Sequence, residues 1–303
     1  MTLPAPPTLD ALAARRWRDL PKNAVPWLHE EVAQRMMARL DYIKAVPERW
    51  LDWAPQTGGW QAHEQLQARF PNAQVWVWES AAERARTSAA RLSAPWWSAA
   101  RWRRGRVNVF SRGLLGVDML WANMGLHADP APVQTMAHWH DALKAGGFLM
   151  FSCLGPDTLT ELRQAYRDLH WPAPCHAWTD MHDLGDMLVS VGFAEPVMSM
   201  ERISLTYSSA KALLGEMRGL GRNLSRDRFQ SLRGRGWRDR LTSELGLRLA
   251  DPAHNGRLAL SFELIYGHAV KPLQDPGSLS ASQATVSLEA MRAALAESRN
   301  RKT

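Results

Sequence analysis

The stretch "ERWLDWAPQTGGWQ", residues 48 to 61, decides how the rest of the chain is read. A short apolar run ends on Asp52, small residues follow, and the sequence then turns towards a helix. That is the order of strand, tight turn and helix in a nucleotide-binding unit. The next apolar alternation, "QVWVWE" (74 to 79), ends on Glu79, 21 residues beyond Gly58. At roughly 20 residues a carboxylate is placed to grip ribose hydroxyls. Glycines are wanted in the turn because the backbone must bend sharply and approach a ligand without a Cβ in the way. Gly58 and Gly59 meet that need, whereas Ala54 and Gln56 stand where room would be made. On spacing alone, an ordinary strand-to-helix loop with a solvated Glu79 is the simpler reading.

Outward from this turn, apolar runs alternate with helical segments. Strands are predicted at "RWLDWA" (49 to 54), "QVWVWE" (74 to 79), "RVNVF" (106 to 110), "VDMLWANM" (117 to 124) and "GFLMFSCL" (147 to 154). Helical readings fall between them, at "QAHEQLQARF", "SAAERARTSAARL" and "PVQTMAHWHDALKA". Alternation of this kind implies parallel strands with right-handed crossovers, a doubly wound, Rossmann-like α/β sheet. Residues 1 to 46 read as a helical cap, with Leu28, Val32, Met36, Leu40 and Ile43 at helical spacing. Residues 47 to 272 form the main domain, and 273 to 303 have the composition of a flexible tail. Within the main domain, "RISLTYSS" and "LALSFELIYGHAVK" (258 to 271) read as late strands. The arginine-dense stretch between them, after a helix with glycine stops, reads as helical to about residue 246.

Composition narrows the class. At 46% hydrophobic and 22% charged residues the 303-residue chain has the balance of a globular protein. No apolar run approaches bilayer-spanning length, and "MTLPAPPTLDALAARRWRDL" lacks a secretory h-region, so a cytoplasmic protein without membrane partners is expected. Cys153 and Cys175 have no partners at metal-ligand spacing and are read as reduced thiols, with no metal site expected. The net charge of +7 suits an acidic partner, and charge alone does not choose among nucleic acid, anionic lipid and protein.

Four further segments carry a resemblance: "WANMGLH" (121 to 127), "LKAGGFLMFSCLGPDTLTELRQAY" (143 to 166), "DMHDLGDMLVSVGFAEPVMSMERISLTY" (180 to 207) and "ELIYGHAVKP" (263 to 272). Over about residues 28 to 272 the chain resembles the biotin-pathway malonyl-carrier-protein O-methyltransferases, the BioC family. The resemblance implies a seven-stranded methyltransferase fold with N-terminal helices and a helical insertion. It also implies S-adenosylmethionine as cofactor and methyl transfer to the free carboxyl of malonyl on acyl carrier protein. The family's first motif, D-x-G-x-G-x-G, is kept here at Asp52 and Gly58 and altered at Ala54 and Gln56. Glu79 matches the ribose-binding acid, and Asn123 the asparagine after the fourth strand. The resemblance places the usual aromatic of the cap near Lys22 and leaves "VFSRGLLGVDMLW" without its adenine-side acid.

In the same family-like segments His127, Asp157, Thr158 and Asp183 are substrate-side candidates, although Asp157 and Thr158 also suit a helix cap and Asp183 a helix start. Arg218, Arg222, Arg226, Arg228, Arg233 and Arg235 would steer an acidic carrier protein. Two alternatives stay open. A paralogue that kept the fold and lost the cofactor would act as a protein-binding or assembly factor. Nucleic-acid binding, the weaker of the two, rests on the arginine clusters at 94 to 106 and 217 to 240 with their tryptophans.

Overall fold

The computed structural model describes residues 8–20, 24–92, 108–110 and 116–273. Lys22, the basic stretch 94 to 106, residues 111 to 115 of the third-strand loop and the tail helix expected near "LEAMRAALAES" lie outside the described residues. Five strands run parallel: β1 (Arg49–Trp53), β2 (Gln74–Trp78), β3 (Asn108–Phe110), β4 (Val117–Ala122) and β5 (Leu143–Leu154). Then β6 (Ala194–Tyr207) and β8 (Arg257–Val270) complete the path β3-β2-β1-β4-β5-β8-β6, and the two-residue β7 (Ala250–Asp251) pairs with β8. Strand β8 is antiparallel to both its neighbours, inserted between β5 and β6. This is the doubly wound sheet that the alternation predicts, with the one antiparallel strand of a methyltransferase fold.

Side chains alternate across the sheet, so each strand feeds two cores. Trp50, Met119, Trp121 and Met150 face α2 (Trp27–Arg39), α4 (Trp60–Arg69) and α9 (Ala210–Leu220) in one buried cluster. Leu51, Leu120, Leu149 and Phe151 pack on the other face against α6 (Pro132–Ala142) and α8 (Met181–Ser190). Helix α2 belongs to the sheet's own core, because Leu28, Val32, Ala33 and Met36 are fully buried in it.

Two readings need correction. The arginine-dense stretch is not one helix: α9 ends at Leu220 and α10 (Arg235–Arg248) begins after Gly234. Between them, residues 224 to 226 pair with the N-terminal segment instead. Asp10 N donates to Leu224 O, Arg226 N to Thr8 O, and Leu9 bridges Ser225. Strand β6 is also longer than "RISLTYSS" suggests. In its first half exposed and half-buried residues alternate; this half contains Pro196 and shifts register between Ala194 and Val197, as an edge strand tolerates.

Candidate functional site

Strand order reverses between β1 and β4, and ligands of such sheets sit beyond the carboxyl ends of those strands. The loop from β1 lies there, carried by the one-turn α3 (Pro55–Gly58). Ala54 starts this turn in the left-handed region, with φ 61° and ψ 57°. An L-residue is strained there by about 1 kcal/mol, and glycine is not. Ala54→Gly is therefore expected to stabilise the fold by about 1 kcal/mol in urea unfolding, and an unchanged midpoint would show that the loop relaxes the strain elsewhere. The retained glycines answer to protein neighbours. A Cβ on Gly58 would stand 3.0 Å from the Asn123 carbonyl, and one on Gly59 would stand 2.6 Å from the Glu30 carboxylate. That carboxylate caps α4 by accepting from Trp60 N at 2.9 Å and Gln61 N at 3.2 Å.

Glu79 ends β2 fully buried. Its Oε1 accepts from Ser88 Oγ at 2.9 Å and from Gln56 N at 3.4 Å, while Oε2 is buried with no hydrogen-bond donor. Burial pushes its pKa from 4.5 up to about 7, against the opposing pull of Ser88, Gln56 N and Arg84. The Gln56 side chain is committed to α5 (Ala82–Leu92), donating to Arg84 O at 2.8 Å and Ser88 Oγ at 3.0 Å. Arg84 clips the end of α1 (Ala11–Asp19) over this corner through the carbonyls of Arg18 and Leu20.

Asp52 and Asn123 sit on either side of the reversal. The buried Asp52 carboxylate meets His63 Nδ1 of α4 at 2.8 Å, and burial raises its pKa despite that bond. Asn123 Nδ2 donates to His29 O at 2.7 Å and to Gly58 O, and its Oδ1 accepts from Ser152 Oγ at 2.6 Å. His29 Nδ1 closes the ring by donating to Thr57 O at 2.7 Å. The loop is thus held from β4, β5 and α2 at once.

Beside it opens a cavity of about 1200 Å³. His29, Met124 and His127 form the wall nearest the loop, and the rings of His29 and His127 stand perpendicular, 6.3 Å apart. Leu154, Leu159 and Phe262 give an apolar floor, while Arg218, Arg222, Arg233 and Arg235 stand on the side built by α9 and α10.

The chain is 38% identical over 253 residues to the malonyl-[acyl-carrier protein] O-methyltransferase of Gallionella capsiferriformans, spanning 81% of this chain and 84% of that one. It is 36% identical over 265 residues to the enzyme of the same name from Laribacter hongkongensis, spanning 82% and 84%. The chain belongs to the malonyl-[acyl-carrier protein] O-methyltransferase family. No protein-family model matches it. Among solved structures it is similar to the YcgJ protein of Bacillus subtilis, with a TM-score of 0.49 and 9% identity over 79% of this chain and 98% of that one.

Within this malonyl-carrier methyltransferase family member, two of the family-like segments form one junction. A Cβ on Gly155 would meet the Glu263 carboxylate at 2.6 Å, and Glu263 Oε2 accepts from Asp157 N at 2.6 Å. Thr158, fully buried, bonds the backbone of Glu263 in both directions. "GPDTLTELR" and "ELIYGHAVKP" therefore belong together because β8 lies beside the turn after β5. Of the four substrate-side candidates, His127 lines the cavity. Asp157 pairs with Arg202, Thr158 faces Glu263, and Asp183 lies exposed in the first turn of α8, whose N-cap is Asp180. Neither Asp157 nor Thr158 caps α7 (Thr160–Asp168), whose N-cap position is Leu159.

The arginines divide in the same way. Arg228 pairs with Asp10 at 2.7 Å and Arg226 Nε donates to Leu9 O at 3.0 Å, so these two fasten the N-terminal segment. Sequence reasoning missed Ser88, Arg84, His29 and His63. Each acts through a partner nine or more residues away, and no local pattern marks them. Among the described residues no helix is long and apolar enough to cross a membrane, and no group of three His, Cys, Asp or Glu is placed to hold a metal ion.

Proposed function

We propose that this chain methylates the free carboxylate of a malonyl group carried on acyl carrier protein, with S-adenosylmethionine as methyl donor. The observation that carries the reading is the cavity, lined by His29 of α2, by Met124 and His127 from the segment after β4, and by arginines of and beside α9 and α10. Relatives bearing that activity in their name align over four-fifths of the chain.

The residues present fit the nucleoside at its ribose. Glu79 Oε2 is a buried acceptor without a donor, and a vicinal diol supplies donors. Asn123 and His29 would hold the loop in place, and Asp52 would act through His63 to fix the end of β1. Once bound, S-adenosylmethionine supplies a methyl group on a positively charged sulfur. The malonyl carboxylate is ionised at neutral pH, so no residue need take its proton. The chain's task is alignment in a site from which water is excluded. The apolar Leu154, Leu159 and Phe262 strip water from the acyl group, and His127 and His29 are polar side chains lining the same cavity.

The test is incubation with S-adenosylmethionine and malonyl-loaded carrier protein, with mass spectrometry of the carrier. One methyl group gained on malonyl, and none on an acetyl-loaded control, is the expected result. Absence of transfer by protein that binds the cofactor would overturn the substrate, and absence of cofactor binding would leave a fold-only paralogue.

The exposed Arg218 and Arg235 provide the charge that meets the carrier. Reversing both to glutamate is expected to raise KM for malonyl-carrier protein about tenfold and to weaken its salt dependence. Kinetics on a small malonyl thioester should not change, and equal losses on both substrates would place the arginines in the fold instead.

A further inference from the structure

Gln56 stands where the family motif has its second glycine, and its hydrogen bonds give it a defined orientation. Its amide nitrogen reaches Arg84 O, a carbonyl that only accepts, so that corner of the amide must be the NH₂. The same nitrogen lies 3.0 Å from Ser88 Oγ, which must then accept. A hydroxyl has one proton, and that of Ser88 is left for Glu79 Oε1 at 2.9 Å. Gln56, Ser88 and Glu79 thus form a one-way relay that occupies one carboxylate oxygen and leaves the other, Oε2, buried without a donor.

We propose that Gln56 and Ser88 are positioning residues that anchor one oxygen of Glu79 so that the other is presented to the ribose hydroxyls of S-adenosylmethionine. This rests on the cofactor reading given above and explains how the loop works without its glycine. The replaced glycine is a rebuilt contact, because the side chain that appears there is used by its neighbours.

Among the described residues, the charged groups facing Glu79 are Arg84 of α5, which favours the ionised carboxylate, and Asp52 of β1, which opposes it from its own bond with His63 of α4. The Ser88 bond favours the ionised form, so its loss drives the Glu79 pKa further up. Affinity for the cofactor should therefore rise with pH as Glu79 ionises, and removal of Ser88 should move that rise to higher pH.

The experiment is calorimetric titration of the full chain with S-adenosylmethionine and S-adenosylhomocysteine across the neutral range of pH. It compares the wild-type protein with Ser88→Ala, Ser88→Thr and Gln56→Ala. Ser88→Ala is expected to bind about tenfold more weakly at neutral pH and to regain affinity at higher pH. Ser88→Thr keeps the hydroxyl and should follow the wild-type curve. Gln56→Ala, at a half-buried position, gives the same test if Ser88→Ala does not fold, and it should shift the curve in the same direction. Wild-type binding with superimposable curves for the variants would overturn the relay and leave the cofactor reading intact. A wild-type protein that binds neither ligand would overturn the cofactor reading itself.

Discussion

Glu79→Gln is expected to cost the protein most of its cofactor affinity and to abolish a fall in its stability as the pH approaches neutrality. Both effects come from one buried charge. A hydrogen bond to an ionised acceptor contributes about 1.5 to 3 kcal/mol and one to a neutral acceptor about 1 kcal/mol. With two ribose hydroxyls in reach, the substitution should weaken binding by roughly tenfold to a hundredfold. The stability effect follows from linkage. The folded chain holds the Glu79 proton up to about pH 7, whereas the free side chain loses it near 4.5. Stability from this raised carboxyl is complete below its unfolded pKa and is lost as the pH rises through the folded one. Glutamine has no proton to lose, so the variant's unfolding free energy should stay flat across a window in which the wild type declines, by an amount on the order of 2 kcal/mol. Urea unfolding at several pH values measures the slope. Parallel slopes for the two proteins would show that Glu79 is not buried as a charge.

Gly267→Ala should produce the largest loss of stability. Gly267 pairs with Phe151 across β5 and β8, and Phe151 is fully buried against Trp139. A Cβ at 267 would stand 2.5 Å from Cζ of that ring and 2.8 Å from Cδ1, and closer still to Cε1. The ring has no free space to move into, since the second core is packed around it. Overpacking of this severity costs about 3 kcal/mol or more, a large share of the 5 to 15 kcal/mol that holds a typical domain together. Pairing the change with Phe151→Leu should recover much of the loss, as coupled neighbours do. A loss below about 1 kcal/mol for Gly267→Ala alone would mean that the sheet opens at little cost. The glycine of "ELIYGHAVKP" is thus required by the core.

The parallel strands were legible because their signals are local. Period-two alternation in "QVWVW" and the apolar "VDMLWA" need only neighbouring residues to be recognised, and both formed strands at the expected places. Strand β6 was only half legible, since the residues of its first half are at most half-buried and Glu195 and Pro196 interrupt the apolar pattern. The break after α9 was misread because composition there favours a helix, while the hydrogen bonds of residues 224 to 226 go to a segment more than two hundred residues earlier.

The sequence by itself determined the doubly wound architecture, the strand-turn-helix around Asp52 and the family, through segments whose resemblance needs no coordinates. Tertiary structure alone decided what the changed loop does. Gln56 finds Ser88 on α5, 32 residues on, and Gly58 is a glycine because Asn123 crowds it from β4. It also separated Arg226 and Arg228, spent on the N-terminal segment, from Arg218 and Arg235 at the cavity. The reason is physical: propensity and alternation act over a few residues, whereas a hydrogen bond is satisfied by whichever group the completed fold brings within 3 Å.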